Sequence, residues 1–186
     1  MKLTKAMALV LAALSVSACA SHPATDSKFI AANYAAADAL LSQVRARVTP
    51  GHPILVATVV DVDDLEHSST LGRLVSEQVS ARFSHAGYNV IEMRLRGSVY
   101  FKRSEGELLL SRELSDLARS HDARAVVLGT YGVSSGAVYL NVKVVDPGAG
   151  FVLGAHDYML PLTESVQAML GERREQSEGF ERATGR

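Results

Sequence analysis

Apolar residues run almost without interruption from Ile54 to Val60, directly after Pro53, and the pattern then changes period. A short run of branched residues is what a strand buried on both faces requires. Asp61, Asp63, Asp64 and Glu66 follow as a polar turn, with Ser68 or Ser69 placed to cap a helix. Leu71, Leu74, Val75, Val79 and Phe83 recur at helical spacing, and His85-Ala86-Gly87 ends the run. Gly87 is free to take the left-handed conformation just past a helix end. Tyr88–Met93 reads as a second strand. Strand, helix and strand at this length make a parallel, right-handed crossover.

Upstream, Ile30, Tyr34, Ala37, Leu41, Val44 and Val48 step by threes and fours, so Lys28–Val48 is predicted as a long amphipathic helix. Asn33, Asp38, Gln43 and Arg47 mark its polar face. Its many alanines and modest positive charge suit a helix covering a sheet better than one lying in a membrane interface. Thr49-Pro50-Gly51-His52-Pro53 turns the chain into the first strand.

Downstream, Arg94–Leu110 has no clear period. Val99-Tyr100-Phe101 is a candidate short strand or edge turn, and Glu105-Gly106 a candidate exposed tip. Ser111 caps a helix predicted to run through His121, with Leu114, Leu117 and Ala118 inward. Ala125–Leu128 is a third buried strand, extended by Gly129–Gly136 to a turn at Ser134-Ser135-Gly136. Val138, Leu140, Val142 and Val144 alternate with Tyr139, Asn141 and Lys143, as in a half-buried antiparallel strand. Asp146-Pro147-Gly148-Ala149-Gly150 is a strong turn, and Phe151–Leu160 returns as the last strand. Leu162–Leu170 is a candidate short helix.

This order predicts an α/β fold: a mixed five-stranded sheet of three parallel strands with helical crossovers plus an antiparallel meander, with helices packed on it. Its edges are the second strand and one strand of the meander. With 186 residues, 47% of them hydrophobic, the chain can bury one ordinary core. We divide it into 1–18 signal peptide, 19–27 tether, 28–171 single domain and 172–186 flexible polar tail.

The N-terminus carries the clearest motif. Lys2 and Lys5 precede the apolar Ala6–Val16, and Val16-Ser17-Ala18-Cys19 places small residues before the only cysteine in the chain. That matches a bacterial lipoprotein signal and its lipidation box. A lone cysteine in an oxidising compartment has no disulfide partner, which favours lipidation of Cys19 over an ordinary secretory cut near Ala18 or Ala20. Ala20, where an Asp would signal retention at the inner membrane, points to the outer membrane.

Charge and chemistry narrow the function further. The formal net charge is −1, and no Lys/Arg cluster offers a nucleic acid surface. The acidic loop Asp61–Glu66 lies where α/β folds bind ligands, beyond the carboxyl ends of parallel strands. A receiver-type metal site would need a further carboxylate on the third strand, where Leu128-Gly129-Thr130 stands. A phosphate site would need a Gly-rich backbone and a Lys. Arg94 and Arg96 are candidates to neutralise Asp61 or Asp63, and Asp64 and Glu66 to favour the helix N-terminus. His22, His52, His67, His85, His121 and His156 form no zinc motif, and His156 beside Asp157 reads as a structural pair. Ser134 and Ser135 sit in a turn rather than a nucleophile elbow. We therefore expect no catalytic residues, no cofactor and no metal.

Several stretches together resemble a known family: Asp61-Val62-Asp63-Asp64-Leu65, Ser69-Thr70-Leu71-Gly72-Arg73-Leu74, Ala86-Gly87-Tyr88, Leu109-Leu110-Ser111-Arg112-Glu113-Leu114, Gly129-Thr130-Tyr131, His156-Asp157-Tyr158 and Leu160-Pro161-Leu162. Their order and spacing, over most of Ala36–Leu162, resemble the FlgO-type family of bacterial outer-membrane lipoproteins. The resemblance implies a non-enzymatic, periplasm-facing scaffold or interaction module that supports the flagellum, with envelope or flagellar proteins as partners and a homo-oligomer possible. It also implies a fold like TolB N-terminal modules and curli-secretion lipoproteins. The competing readings are a curli-type secretion-pore subunit and an envelope lipoprotein unrelated to flagella. A pore needs a further pair of long alternating strands, and the core sheet already uses every such strand here.

Overall fold

A computed structural model of the chain describes residues 24–93 and 112–171. The signal peptide, Cys19, the segment Arg94–Leu110 with Arg94 and Arg96, and the tail 172–186 lie outside the described residues. The elements are α1 (Ala24–Val44), β1 (Pro53–Ala57), β2 (Val60–Asp61), α2 (Thr70–His85), β3 (Asn89–Met93), α3 (Arg112–Ser120), β4 (Ala125–Val133), β5 (Ala137–Val145), β6 (Val152–Pro161) and α4 (Glu164–Leu170).

They build the expected mixed sheet, ordered β3-β1-β4-β5-β6, with β2 also paired to β4. β1 pairs in parallel with β3 and β4, and β4, β5 and β6 form the antiparallel meander. Among the described residues β3 and β6 are the two edges. One layer, α1 and α2, covers one face through Ala37, Leu40, Leu41, Val44, Val75, Val79 and Phe83 against Val127, Val142 and Leu160. On the other face α3 sets Leu114 and Ala118 against Leu55, Val126 and Leu128. β5 follows its alternation: Val138, Leu140, Val142 and Val144 are buried while Tyr139 is 58% exposed.

The turns follow local chemistry. Gly87 has φ +91°, and its carbonyl accepts from Gly51 N at 2.8 Å. Ser69 caps α2, its Oγ accepting from Gly72 N. Asp146 Oδ1 accepts from Gly148 N and Ala149 N, both at 2.8 Å, which closes the β5–β6 turn.

Three expectations change. The predicted first strand is split into β1 and β2, because the backbone of Val59 bonds to side chains rather than to a neighbouring strand. Val59 N donates to Ser76 Oγ at 2.7 Å, and Ser68 Oγ donates to Val59 O at 2.8 Å. The first helix begins at Ala24 and ends at Val44, and Arg47 N and Val48 N both bond back to Val44 O in a closing turn. Its faces also differ from the reading: Ile30 is 42% exposed, whereas Asn33, assigned to the polar face, is fully buried. Asn33 tolerates burial because its amide is paired on both sides, as described below.

Candidate interaction surfaces

The acidic loop leaves β2 at the carboxyl end of the parallel strands. Asp61 is buried, and its Oδ1 accepts from Asp63 N at 2.8 Å; Asp64 Oδ1 accepts from Glu66 N at 3.2 Å. Val62 N reaches Tyr131 O at 2.9 Å, and Asp61 N reaches His67 O at 3.0 Å. Two of the carboxylates thus hold the turn that carries them, while Asp63, Asp64 and Glu66 face solvent. Neither Asp64 nor Glu66 lies in the first turn of α2, so the expected helix-end role is not realised. β4 runs past the loop to Val133, with Tyr131 buried beside it. Among the described residues no group of three or more His, Cys, Asp and Glu could hold a metal ion.

His156 and Asp157 do not pair. Strand alternation sends them to opposite faces. Asp157 accepts from Asn141 Nδ2, and the His156 ring stacks on Tyr158 with centroids 6.1 Å apart. Ser134 bonds across its own turn, donating to Ala137 O and accepting from Ala137 N.

A partly buried polar chain, absent from the sequence reading, links α1, α2 and β6. Tyr158 Oη donates to Asn33 Oδ1 at 2.6 Å, and Asn33 Nδ2 donates to Gln78 Oε1 at 2.7 Å. Burial pushes the Tyr158 phenol well above its ordinary range, so it stays a neutral donor. Asn33 sits one helical turn from Ala36 and Ala37, on the buried side, and that phase was the available signal.

Two concave surfaces flank the C-terminal half of β6. One is a shallow shelf of about 540 Å³ on the face that α3 leaves open, lined by Val62, Gly132, Tyr139, Asn141, Asp157 and Met159. The other is a groove of about 850 Å³ between the start of α1, the first turns of α2, α4 and the end of β6. Phe29, Ala32, Leu74, Val166 and Met169 make its wall apolar, and Met159 belongs to both surfaces.

The FlgO protein family model matches residues 34–165, a span from the middle of α1 into α4. The chain belongs to the FlgO protein family. Among solved structures, the LpoB C-terminal domain from Salmonella enterica superposes with a TM-score of 0.50 at 13% identity, over 70% of this chain and 96% of that one. The corresponding Escherichia coli domain gives 0.48 at 14% identity, with the same coverage. At such identity the likeness is one of fold. The comparison with curated proteins finds no match.

In this FlgO-family domain, the stretches that carried the resemblance hold the architecture. A Cβ on Gly72 would lie 2.2 Å from Val59 O, and one on Gly129 would lie 2.8 Å from Val59 Cγ2. The two glycines therefore admit Val59 between α2 and β4. Tyr88 Oη donates to Val48 O at 2.7 Å, tying the residue before β3 to the turn that follows α1. Leu162 N donates to Gly136 O at 3.0 Å, which turns the chain from β6 into α4 beneath the groove. Among the described residues no helix is long and apolar enough to cross a membrane.

Proposed function

We propose that this FlgO-family protein is a non-enzymatic outer-membrane lipoprotein. Lipid on Cys19 anchors it, its domain faces the periplasm, and it acts as an interaction module supporting flagellar assembly, stability or motility. The family match over residues 34–165 carries this reading. The Val16-Ser17-Ala18-Cys19 box supports it, because it ends only five residues before α1 begins at Ala24. Acyl chains at Cys19 would each bury methylenes worth about 0.8 kcal/mol apiece, so several chains make release negligible. The fold shared with the LpoB C-terminal domain suits a module that works by contact. Its partners would be envelope or flagellar proteins, met by residues on the surface of the domain.

Two measurements test the proposal. Mass spectrometry of the outer-membrane fraction should show a mature N-terminus at Cys19 carrying acyl chains, lost in Cys19→Ser together with membrane retention. In a flagellated host, deleting the gene should weaken swimming or flagellar retention, and the wild-type gene but not Cys19→Ser should restore it. A soluble product starting elsewhere refutes the anchor; unimpaired swimming refutes the flagellar role.

A further inference from the structure

The long edge strand β6 has two unlike halves. Ala155 stands opposite Lys143, and both of its backbone groups go outward to one side chain on α1. Ala155 N donates to Gln43 Oε1 at 3.2 Å, and Gln43 Nε2 donates to Ala155 O at 3.0 Å. Arg47 Nη1 adds a bond to Leu153 O at 3.4 Å. The Gln43 amide thus imitates a neighbouring strand and blunts this half of the edge, a common protection against unwanted pairing.

Outward and inward backbone groups alternate along an antiparallel strand. If Ala155 points its N–H and C=O outward, so do Asp157 and Met159, while His156, Tyr158 and Leu160 pair with β5. Pro161 has no N–H, and its carbonyl accepts from Thr163 N at 2.8 Å. Among the described residues, no side chain caps the outward groups of Asp157 and Met159 as Gln43 caps Ala155. The free stretch is short, and it lies where the shelf and the groove meet. Met159 is 58% exposed at their junction, with Tyr139, also 58% exposed, on the shelf. Among the described residues Lys28 is the one charged residue lining the groove, and no acid lines it.

We propose that the Asp157–Met159 edge and the adjoining groove dock an extended segment of another envelope protein, one with apolar residues at alternate positions and a carboxylate. The segment adds as a short strand beside β6, which satisfies the outward N–H and C=O groups. Alternate side chains then fall on opposite faces: one set enters the groove between Phe29, Leu74 and Met169, and the other lies along Met159 and Tyr139. The carboxylate sits against Lys28. A cation with no acid beside it among the described residues, on a largely apolar wall, selects for that charge. The inference rests on the interaction-module reading and specifies its site.

The test uses the full lipidated chain in detergent micelles and a displayed library of random heptapeptides, with enriched peptides resynthesised. Enriched sequences should alternate apolar and polar residues and carry an acid. Their binding should slow amide exchange at Asp157 and Met159. Met159→Pro removes an outward donor without removing a bond to β5, and Ala32→Trp fills the groove from the α1 side without altering a β6 backbone group. Each should weaken binding about tenfold or more, with melting curves confirming that at least Ala32→Trp is folded. Lys28→Glu should reverse the preference for acidic peptides.

Failure to enrich such peptides, or affinity unchanged in both Met159→Pro and Ala32→Trp, overturns the proposal. So does protection of the two amides without peptide, whether lost on dilution (a second copy) or on deleting residues 172–186 (the tail). These outcomes leave the Cys19 and swimming assays untouched, so the docking site can fail while the lipoprotein reading stands.

Discussion

Replacing Gly72 by Ala sets two principles against each other. Gly72 lies in the first turn of α2, where Ala is the better helix former by about 1 kcal/mol, so helix propensity alone forecasts stabilisation. The tertiary structure forecasts the reverse. The new Cβ would stand 2.2 Å from Val59 O, 3.2 Å from Val59 C and 2.8 Å from Ser68 Oγ. An ordinary carbon–oxygen contact needs roughly 1 Å more, so helix and strand must separate or the Val59 peptide must tilt. Val59 O is backbone and cannot swing away like the end of a side chain. Overpacking of this kind costs about 1–3 kcal/mol. The shift also strains the bonds from Val59 N to Ser76 Oγ and from Ser68 Oγ to Val59 O. A buried backbone N–H left without its partner adds about 1–3 kcal/mol. Less the gain in propensity, the net loss is about 3 kcal/mol. For a domain of this size that lowers the melting temperature by about 6–12 °C. Thermal and urea melts followed by circular dichroism measure it directly. Gly136→Ala is the control, since a Cβ there meets nothing within 4 Å, and it should stay within about 0.5 kcal/mol of wild type. If Gly72→Ala melts at or above wild type, the close approach at Val59 does not hold the helix to the sheet, and the account of the split strand is wrong.

Tyr158→Phe should cost about 1–3 kcal/mol in urea melts, because it deprives the fully buried Asn33 Oδ1 of its donor; a neutral result would mean that the buried polar chain contributes nothing. Stability should fall as the pH rises above about 10, the ordinary phenol value. Burial raises the folded-state values of Tyr158 and of Tyr88, in the latter case against a smaller opposing effect of Arg45. Below that pH both states keep these protons; above it the unfolded chain loses them first and is favoured. Denaturant midpoints between pH 8 and 11 read this slope, which should flatten in Tyr158→Phe. The Arg82–Asp38 pair is bidentate, and Arg82 also lies 5.3 Å from the Tyr34 ring centroid. Its side chains are 32% and 48% exposed, so solvent screens it, and a double-mutant cycle should return a coupling below about 1 kcal/mol.

Much of what depended on neighbours within a few residues was legible in the sequence. The alternation from Val138 to Val144 assigned the two faces of β5, and Ser69, Gly87 and Asp146 marked a helix start, a helix end and a hairpin turn. These features are local because hydrophobic period and turn chemistry act over one or two turns of chain. Element order then gave the mixed sheet and its two edges, since parallel crossovers have a single favoured hand. What escaped the sequence was the pairing of polar atoms across long separations. Asn33 reads as a surface residue until Gln78 and Tyr158, 45 and 125 residues away, are packed against it. Gln43 reads the same way until Ala155, 112 residues on, offers it a strand edge. The first strand reads as continuous until Ser68 and Ser76 take the backbone of Val59. The groove draws its wall from α1, α2, β6 and α4, so no single stretch contains its pattern. A buried polar group must find a partner, but the composition of its own segment does not name which one. Only the packing of distant elements decides that.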